Sequence, residues 1–205
     1  MEILRYILIV LAAYLIGCSS MALYISKLKG FDLRKAGSKN LGASNAMILL
    51  GWRYGIIVAV HDIGKAALAV VLARLLGNGL PGVDAAAGVA CVLGHMFPFY
   101  LCFRGGKGFA SYLGMTLALN WKLALIVMLL VLAVTLISDY IVAGTVTTVL
   151  VVPSYMAFTG SLLLSMILAL ATVAILIKHR ENFVRILNGT EIGLRRAHRG
   201  EDRRG

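Results

Sequence analysis

Long apolar runs follow one another along almost the whole chain, and this succession restricts the fold more than any other feature. Crossing about 30 Å of hydrocarbon takes about 20 mostly apolar residues in a helix. A helix also satisfies its own backbone hydrogen bonds, as lipid requires. The sequence therefore predicts an all-α, polytopic membrane protein with about seven transmembrane helices. The predicted spans are Ile3–Ser26, Tyr54–Leu76, Ala85–Phe103, Phe109–Trp121, Lys122–Ser138, Tyr140–Phe158 and Ser161–Ile177.

The scarcity of charged residues leaves no room for a large soluble domain. Only 14% of the 205 residues are charged, against about 25% in a typical soluble domain. The hydrophilic stretches between the apolar runs are all shorter than a domain. The sequence predicts a single membrane domain over residues 1–205, which ends in a polar C-terminal tail over residues 192–205.

Lysine and arginine residues gather on one side of the predicted helices. With the N-terminus outside, sixteen of them fall on the inner face, and only Arg5, Arg74 and Lys122 fall on the outer face. The positive-inside rule makes the inner face cytoplasmic. We therefore expect the N-terminus outside and the C-terminus in the cytoplasm. The short fourth span must cross the membrane, because otherwise the basic C-terminal run would lie outside.

Charge placement and cysteine spacing argue against two other kinds of site. The net charge of +11 comes from short loops and the C-terminus, not from one groove or helix. This placement suits lipid headgroups or phosphorylated substrates, and we expect membrane lipids as partners and no nucleic acid. Cys18, Cys91 and Cys102 lack C-x-x-C spacing, so we expect neither a disulfide framework nor a metal site.

The first polar segment on the inner face combines two glycines with small hydrogen-bonding side chains. Gly37 and Gly42 permit backbone conformations that other residues avoid, so successive N–H groups can point into one concavity. The neighbouring polar residues are Ser38, Lys39, Asn40, Ser44 and Asn45. The combination suits a phosphate or another oxyanion. A solvated loop that caps a short interfacial helix would use the same turn residues.

The second segment, Gly94–Ser111, contains a tight basic turn from Arg104 to Gly108, with Gly105 and Gly106 before Lys107. Its lysine can meet a phosphate as a point charge. The turn is not a nucleotide-binding P-loop, because Lys107 is followed by a glycine and not by Ser or Thr. A simple positive-inside anchor would also place basic residues here.

The third segment follows the last predicted span. His179, Asn182 and Arg185 are spaced by three residues and share one face of a helix. A histidine beside an amide can orient a hydroxyl and a charged group. A basic helix lying on lipid headgroups would have a similar composition.

Two ionisable residues lie inside the second predicted span. Asp62 and Lys65 are three residues apart, and charges at membrane depth are costly unless they have a partner. We expect the two to pair and to fix helix packing. His95, near the middle of the third span, is expected to hydrogen-bond a neighbouring helix.

Taken together and in order, these segments resemble the PlsY family of bacterial membrane acyltransferases. That family moves a fatty acyl group from acyl phosphate to glycerol 3-phosphate. The matching stretches are Gly37–Asn45, Gly94–Pro98 with Arg104–Gly108, and His179–Asn182. The resemblance implies a seven-span enzyme of the bacterial inner membrane whose active site opens to the cytoplasm, with acyl phosphate and glycerol 3-phosphate as substrates and no cofactor.

The resemblance also implies roles for individual residues. It places Lys107, His179 and Asn182 at the reaction centre. It assigns substrate binding to residues of the two glycine-containing segments and to one residue of the sixth span: Ser38, Lys39, Asn40, Gly42, Asn45, Arg104, Gly105, Gly106 and Thr145. Thr145 stands where the family tends to have a serine.

Two departures from the family pattern concern the phosphate of the acceptor. Lys39 replaces a usual glycine, and Ile48 stands where the family usually carries an arginine. The second change removes a permanent charge and a bidentate fork. Either Lys35 or Lys39 compensates, or the acceptor differs from glycerol 3-phosphate, or the protein has lost its activity.

Acyl transfer from an acyl phosphate requires few catalytic groups. Its carbonyl is already activated and phosphate is a good leaving group, so an anion cradle and an oriented hydroxyl are the main requirements. The sequence shows neither metal-ligand spacing nor a motif for a covalent nucleophile. A small transporter of anionic or phosphorylated solutes is the alternative, but it would need ionisable groups along a path through the membrane. Clustering at one face favours an interfacial enzyme.

Overall fold

The computed structural model describes residues 1–195, and regular secondary structure over that range is helical. The rest of the predicted polar tail, residues 196–205, lies outside the described residues. The chain divides into two compact units, Met1–Asn120 and Trp121–Gly205. The first unit contains α1 (Glu2–Cys18), α2 (Met21–Lys29), α3 (Ala43–Leu50), α4 (Trp52–Gly77), α5 (Val83–Met96) and α6 (Phe109–Leu119). The second contains α7 (Trp121–Ser138), α8 (Ile141–Phe158), α9 (Leu162–Lys178) and α10 (Arg180–Leu187).

Helix length separates the elements that can cross a bilayer from those that cannot do so alone. Within the described residues, five helical stretches are long and apolar enough: Glu2–Lys29, Trp52–Gly77, Val83–Leu101, Trp121–Ser138 and Ile141–Phe158. The bent pair α9 and α10, with an angle of 45°, is a sixth if it counts as one span. Helix α6 is apolar but shorter. The prediction of a polytopic all-α protein is confirmed at this level.

The first predicted span is broken, where the sequence indicated one continuous helix. Helix α1 ends at Cys18, and Ser20 caps α2 by accepting a hydrogen bond from the Leu23 N–H at 3.3 Å. The break releases backbone carbonyls that need partners away from water. Tyr100 donates to the Cys18 carbonyl at 2.6 Å, and Lys65 donates to the Ser19 carbonyl at 2.7 Å. Distant side chains thus stabilise the break.

Glycines let helices of the first unit approach to backbone contact. A Cβ on Gly17 of α1 would lie 2.1 Å from the carbonyl oxygen of Cys91 on α5. A Cβ on Gly114 of α6 would lie 2.0 Å from the carbonyl oxygen of Ile63 on α4. Small residues at such crossings are typical of helix packing in membranes. The short helix α6 is held against α4 in this way.

In the second unit, a hydrogen bond joins α8 and α9 at a place where a proline interrupts the hydrogen bonding of α8. Pro153 lies inside α8 and has no N–H, so the carbonyl of Val149, four residues earlier, lacks its usual helical partner. Thr172 of α9 donates its hydroxyl to that carbonyl at 2.8 Å. The hydroxyl replaces the N–H donor that Pro153 lacks and fixes the register of the two helices.

Candidate functional site

The first polar segment is a loop that one buried side chain holds in shape. Asn45, at 1% exposure, accepts a hydrogen bond from the Ser38 N–H at 2.9 Å. Its amide nitrogen donates to the carbonyls of Leu33 at 2.9 Å, Asn40 at 3.0 Å and Ala36 at 3.3 Å. The amide of Asn45 is therefore occupied within the loop. Its hydrogen bonds hold the backbone of the loop in its conformation.

The outer side of the same loop presents Ser38 and Lys39 to solvent, with Asn40 half-buried. Gly37 has φ 58° and Lys39 has φ 54°, both in the left-handed region. A lysine in that region is strained, because its Cβ crowds the following carbonyl. The usual glycine that Lys39 replaces would adopt this backbone without strain. The chain thus carries a positive charge here at a conformational cost.

Before the loop, Asp32 and Arg34 form an exposed pair. Arg34 Nε lies 2.9 Å from Asp32 Oδ1, and the Arg34 backbone N–H donates to the same oxygen at 3.0 Å. These hydrogen bonds hold the pKa of Asp32 at about 2. Arg34 is therefore paired with Asp32, and Lys35 and Lys39 add positive charge at exposed positions of the same segment.

The first and second segments rest on one hydrophobic cluster of the first unit. Leu33, before the loop Gly37–Asn45, and Leu41, within it, are buried in this cluster. Leu101, in the short 3₁₀ turn Phe99–Leu101 that precedes the basic turn, packs against the same cluster. The cluster therefore supports both the first segment and the chain that leads into the basic turn.

The basic turn is fastened to the end of α5. The Gly105 N–H donates to the Met96 carbonyl, and the Gly106 N–H donates to the His95 carbonyl, both at 3.1 Å. Gly105 and Gly106 have no room for a side chain, whereas Arg104 is exposed and Lys107 is half-buried. Lys107 lies just before α6, whose first N–H groups favour an anion. An anionic ligand at this turn would meet both the lysine and the helix end.

Beneath the turn lies the predicted intramembrane ion pair. Lys65 Nζ is 2.8 Å from Asp62 Oδ1, and both side chains are buried. Lys65 Nζ is also 2.9 Å from Nδ1 of His95 on α5. Both predictions, the pairing of Asp62 with Lys65 and the interhelical hydrogen bond of His95, are confirmed.

The third segment belongs to the second unit and includes a bend in the chain. Helix α9 ends at Lys178, and buried His179 joins it to α10. His179 Nδ1 lies 2.8 Å from the Ile175 carbonyl. A carbonyl can only accept, so Nδ1 carries the proton and Nε2 of the neutral ring keeps a lone pair. This tautomer can accept a proton at Nε2.

Glu191 is a site residue to which the sequence assigned no role. Its carboxylate accepts hydrogen bonds from the Asn182 amide and from Arg185 Nε, the latter at 2.6 Å. One carboxylate thus orients both polar residues of the α10 face. In the sequence, Glu191 is only an acidic residue that follows a basic stretch. Its position alone does not show that its carboxylate contacts Asn182 and Arg185.

The candidate residues divide between the two units. The members in the first unit are Ser38, Lys39, Asn40, Gly42, Asn45, Arg104, Gly105, Gly106 and Lys107. The members in the second are Thr145, His179 and Asn182. Thr145 is buried on α8 and donates to the Ile141 carbonyl of its own helix at 3.2 Å. Among residues 1–195, no group of three or more His, Cys, Asp or Glu side chains has an arrangement suited to a metal ion.

Comparison with known proteins gives one consistent family. The family model for glycerol-3-phosphate acyltransferase matches residues 7–189. Glycerol-3-phosphate acyltransferase 1 of Oceanobacillus iheyensis is 35% identical over 198 residues, 92% of this chain and 95% of the relative. The glycerol-3-phosphate acyltransferase of Dinoroseobacter shibae is 39% identical over 187 residues, 90% of each chain.

Solved structures agree with the sequence relatives. PlsY, an integral membrane glycerol 3-phosphate acyltransferase, matches in its glycerol 3-phosphate form with a TM-score of 0.86 and 33% identity. That match covers 92% of this chain and 95% of the other. Its lysophosphatidic acid form matches with a TM-score of 0.83 and 32% identity, over 92% and 94% of the two chains. The chain therefore belongs to the glycerol-3-phosphate acyltransferase family of integral membrane proteins, as the order of its three polar segments indicated.

Proposed function

We propose that the protein transfers a fatty acyl group from acyl phosphate to the hydroxyl of glycerol 3-phosphate and forms lysophosphatidic acid. The observation that carries this proposal is the family match over residues 7–189, which includes all three polar segments. The similarity to PlsY in forms with glycerol 3-phosphate and with lysophosphatidic acid supports the same acceptor and product. Acyl phosphate as the donor follows from the resemblance of the motifs.

In the proposed site, the loop Gly37–Asn45 holds the phosphate of the donor and Lys107 binds anionic oxygen. His179 and Asn182 hold the acceptor. The acceptor hydroxyl attacks the acyl carbonyl, the new ester bond forms, and the bond to phosphate breaks. The hydroxyl proton goes to the departing phosphate, with Nε2 of His179 as the alternative base. The tautomer set by the Ile175 carbonyl supports that second role.

The same proposal places the two units in one acyltransferase domain over residues 1–205, with seven spans and a cytoplasmic site. Its support is the bias of sixteen basic residues to three. Helix α6 completes the count. At 1.5 Å per residue its eleven residues extend about 16 Å, about half of the hydrocarbon thickness, so residues on either side of α6 must complete this crossing. Its close contact with α4 supports a position inside the bundle.

A second candidate is acyl transfer to a different acceptor, and Ile48 favours it. Ile48 is half-buried on α3, directly after the loop that Asn45 organises. An apolar side chain there offers nothing to a phosphate. The transporter alternative has less support, because the ionisable pair inside α4 is satisfied by its own neighbours.

Purified protein supplied with acyl phosphate and either glycerol 3-phosphate or glycerol tests the proposal. We expect lysophosphatidic acid from the first acceptor and a loss of at least about 100-fold in kcat/KM for Lys107→Ala, because an uncompensated anion remains in the transition state. Lys122→Ala, an exposed lysine of the predicted outer face, is the matched control and should retain activity. Transfer only to glycerol would show that glycerol 3-phosphate is not the acceptor. Transfer to neither would overturn the proposal that the protein is an acyltransferase.

A further inference from the structure

We propose that Asp62, Lys65 and His95, here called the buried polar cluster, act as positioning residues that hold the Arg104–Gly108 turn and so place Lys107. The inference rests on the proposed function, in which Lys107 binds anionic oxygen. Asp62 and Lys65 lie outside the three polar segments, and His95 lies in the stretch Gly94–Pro98 that precedes the basic turn. Their distances and the hydrogen bonds of the turn connect them to it.

Lys65 is the centre of the cluster because every one of its N–H donors has an acceptor. Nζ lies 2.7 Å from the Ser19 carbonyl, 2.8 Å from Asp62 Oδ1 and 2.9 Å from His95 Nδ1. An ammonium has three donors and no acceptor. The three contacts therefore account for all its hydrogen-bonding capacity, and they fix its position relative to α1 and α5.

This arrangement determines which nitrogen of His95 carries the proton. Nδ1 accepts from the Lys65 ammonium, so the proton of the neutral ring lies on Nε2. Asp62 Oδ1, at 3.4 Å from Nδ1, is farther away than the ammonium. His61 contributes from the same helix, with Nδ1 at 3.3 Å from Asp62 Oδ1 and Nε2 at 3.0 Å from Ser19 Oγ. The ring is therefore held from one side, and its other nitrogen points away from Lys65.

That other side of the ring meets the basic turn. A Cβ on Gly106 would lie 2.0 Å from His95 Nε2, so the turn backbone packs directly on the ring. The His95 carbonyl also accepts the hydrogen bond from the Gly106 N–H at 3.1 Å. The ring and the backbone of one residue thus both contact Gly106. Since Lys107 is the next residue, a shift of the His95 ring displaces the lysine.

The same helix pair contains a matched control at its other end. Arg74 of α4 and Asp84 of α5 form an ion pair at 3.0 Å that also joins the two helices, but Arg74 is exposed, Asp84 is half-buried, and the pair is far along the chain from the turn. If ion pairs between α4 and α5 served only to pack the helices, removing either pair would affect activity in the same way.

Kinetics of three variants test the proposal. Asp62→Asn with Lys65→Met removes both charges, so that neither remains buried alone. His95→Asn keeps an acceptor near the Nδ1 position for Lys65 but lacks the atoms that touch Gly106. For both we expect kcat/KM to fall about tenfold, mainly through kcat, because a displaced Lys107 stabilises the anionic oxygen of the transition state less well. Arg74→Met with Asp84→Asn should leave both constants unchanged.

Hydrogen exchange of the turn provides a second measurement that does not depend on activity. The peptide containing Gly105 and Gly106 should exchange about tenfold faster in the Asp62→Asn/Lys65→Met variant and at the original rate in the Arg74/Asp84 control. Equal kcat/KM and equal exchange in the two double variants would overturn the proposal, and so would failure of both cluster variants to fold, since the cluster would then be structural only. If the wild-type protein does not use glycerol 3-phosphate, the proposed function is wrong. The hydrogen-exchange measurement still tests whether the buried polar cluster holds the turn.

Discussion

Asn45 shows how one buried amide determines the shape of the loop Gly37–Asn45, for which we propose phosphate binding. Its oxygen accepts from the Ser38 N–H and its nitrogen donates to the carbonyls of Leu33, before the loop, and of Asn40, within it. Uncharged hydrogen bonds of this kind contribute modestly when they form, but a buried group that loses its partner costs much more. The side chain therefore acts on binding through the backbone that it holds.

Asn45→Ala should lower the free energy of unfolding by about 2 kcal/mol or more, because several loop groups lose their partner at once. Ser44→Ala, at the exposed neighbouring position of α3, is the control and should stay within about 0.5 kcal/mol. Thermal unfolding in detergent measures both. Equal stability of the two variants would show that water replaces the amide.

Ile48 is the residue that most directly tests the identity of the acceptor. An arginine at this position adds a planar fork suited to a phosphate. We expect Ile48→Arg to lower KM for glycerol 3-phosphate about tenfold, a gain typical of one or two charge-assisted hydrogen bonds. KM for unphosphorylated glycerol should not change.

The control for Ile48→Arg is Met47→Arg, which adds the same charge at the exposed adjacent position of α3. Because charge alone attracts an anion, the two variants separate general electrostatics from a specific contact. An equal effect of both substitutions, or no effect of either, would mean that Ile48 lies away from the acceptor phosphate.

At the level of elements, the proline in α8 makes a polar contact between helices necessary. The carbonyl of Val149 has no N–H from Pro153 and accepts the hydroxyl of Thr172 instead. Hydrogen bonds between membrane helices contribute about 0.6 kcal/mol on average and up to about 2 kcal/mol. The pair Pro153 and Thr172 should therefore behave as one unit.

Thr172→Val should cost about 1 kcal/mol of stability in the wild-type background and clearly less in a Pro153→Ala background, where an N–H can bond to the Val149 carbonyl. Thr147→Val removes a hydroxyl that bonds only within α8, at 3.0 Å from the Ala143 carbonyl, and serves as the control. A double-mutant cycle by thermal unfolding measures the coupling. Strict additivity would contradict the assignment.

Sequence reasoning located most helices because hydrophobic length is a local property. The run Tyr54–Leu76 became α4, Trp52–Gly77, with its ion pair as expected. The break at Ser19 and Ser20 was missed, since its freed carbonyls depend on Tyr100 and Lys65, which are distant in sequence. The last span was predicted to end at Ile177, one residue before the end of α9, but the 45° bend to α10 was not predicted, because apolar and basic residues follow each other there without a glycine or proline.

The sequence shows the motifs of the candidate site but not the contacts that support them. The glycines, Lys107 and His179 stand in motifs that the sequence displays in order. The supports are contacts: Asn45 with the loop backbone, Glu191 with Asn182 and Arg185, and His95 with Gly106. A side chain that works through another residue leaves no pattern of its own in one sequence.

At the scale of the whole molecule, the distribution of basic residues makes a prediction about sidedness. Cys102 is the exposed cysteine beside the basic turn, whereas Cys18 and Cys91 are buried. A membrane-impermeant maleimide should therefore label Cys102 in inverted membrane vesicles and not in intact cells, because the inner face carries the basic residues.

Two variants control this labelling experiment. Cys102→Ser should abolish it. Asn78→Cys in the Cys102→Ser background introduces an exposed thiol after α4, on the predicted outer face, and should be labelled in intact cells. Labelling of Cys102 from outside would reverse the proposed orientation and place the site on the wrong side for cytoplasmic glycerol 3-phosphate.

The ion pair inside α4 also bears on how the protein enters the membrane during synthesis. A charged residue at the centre of an isolated spanning helix costs about 3 kcal/mol on insertion scales, and α4 carries two of them. One acceptor for Lys65, the Ser19 carbonyl, belongs to a segment made earlier, and the other interhelical partner, His95, is made later. We expect the first segment to stay beside the insertion machinery until α4 arrives. The order of synthesis then matches the order in which the ammonium of Lys65 gains acceptors: the Ser19 carbonyl comes first, Asp62 comes with α4 itself, and His95 comes last.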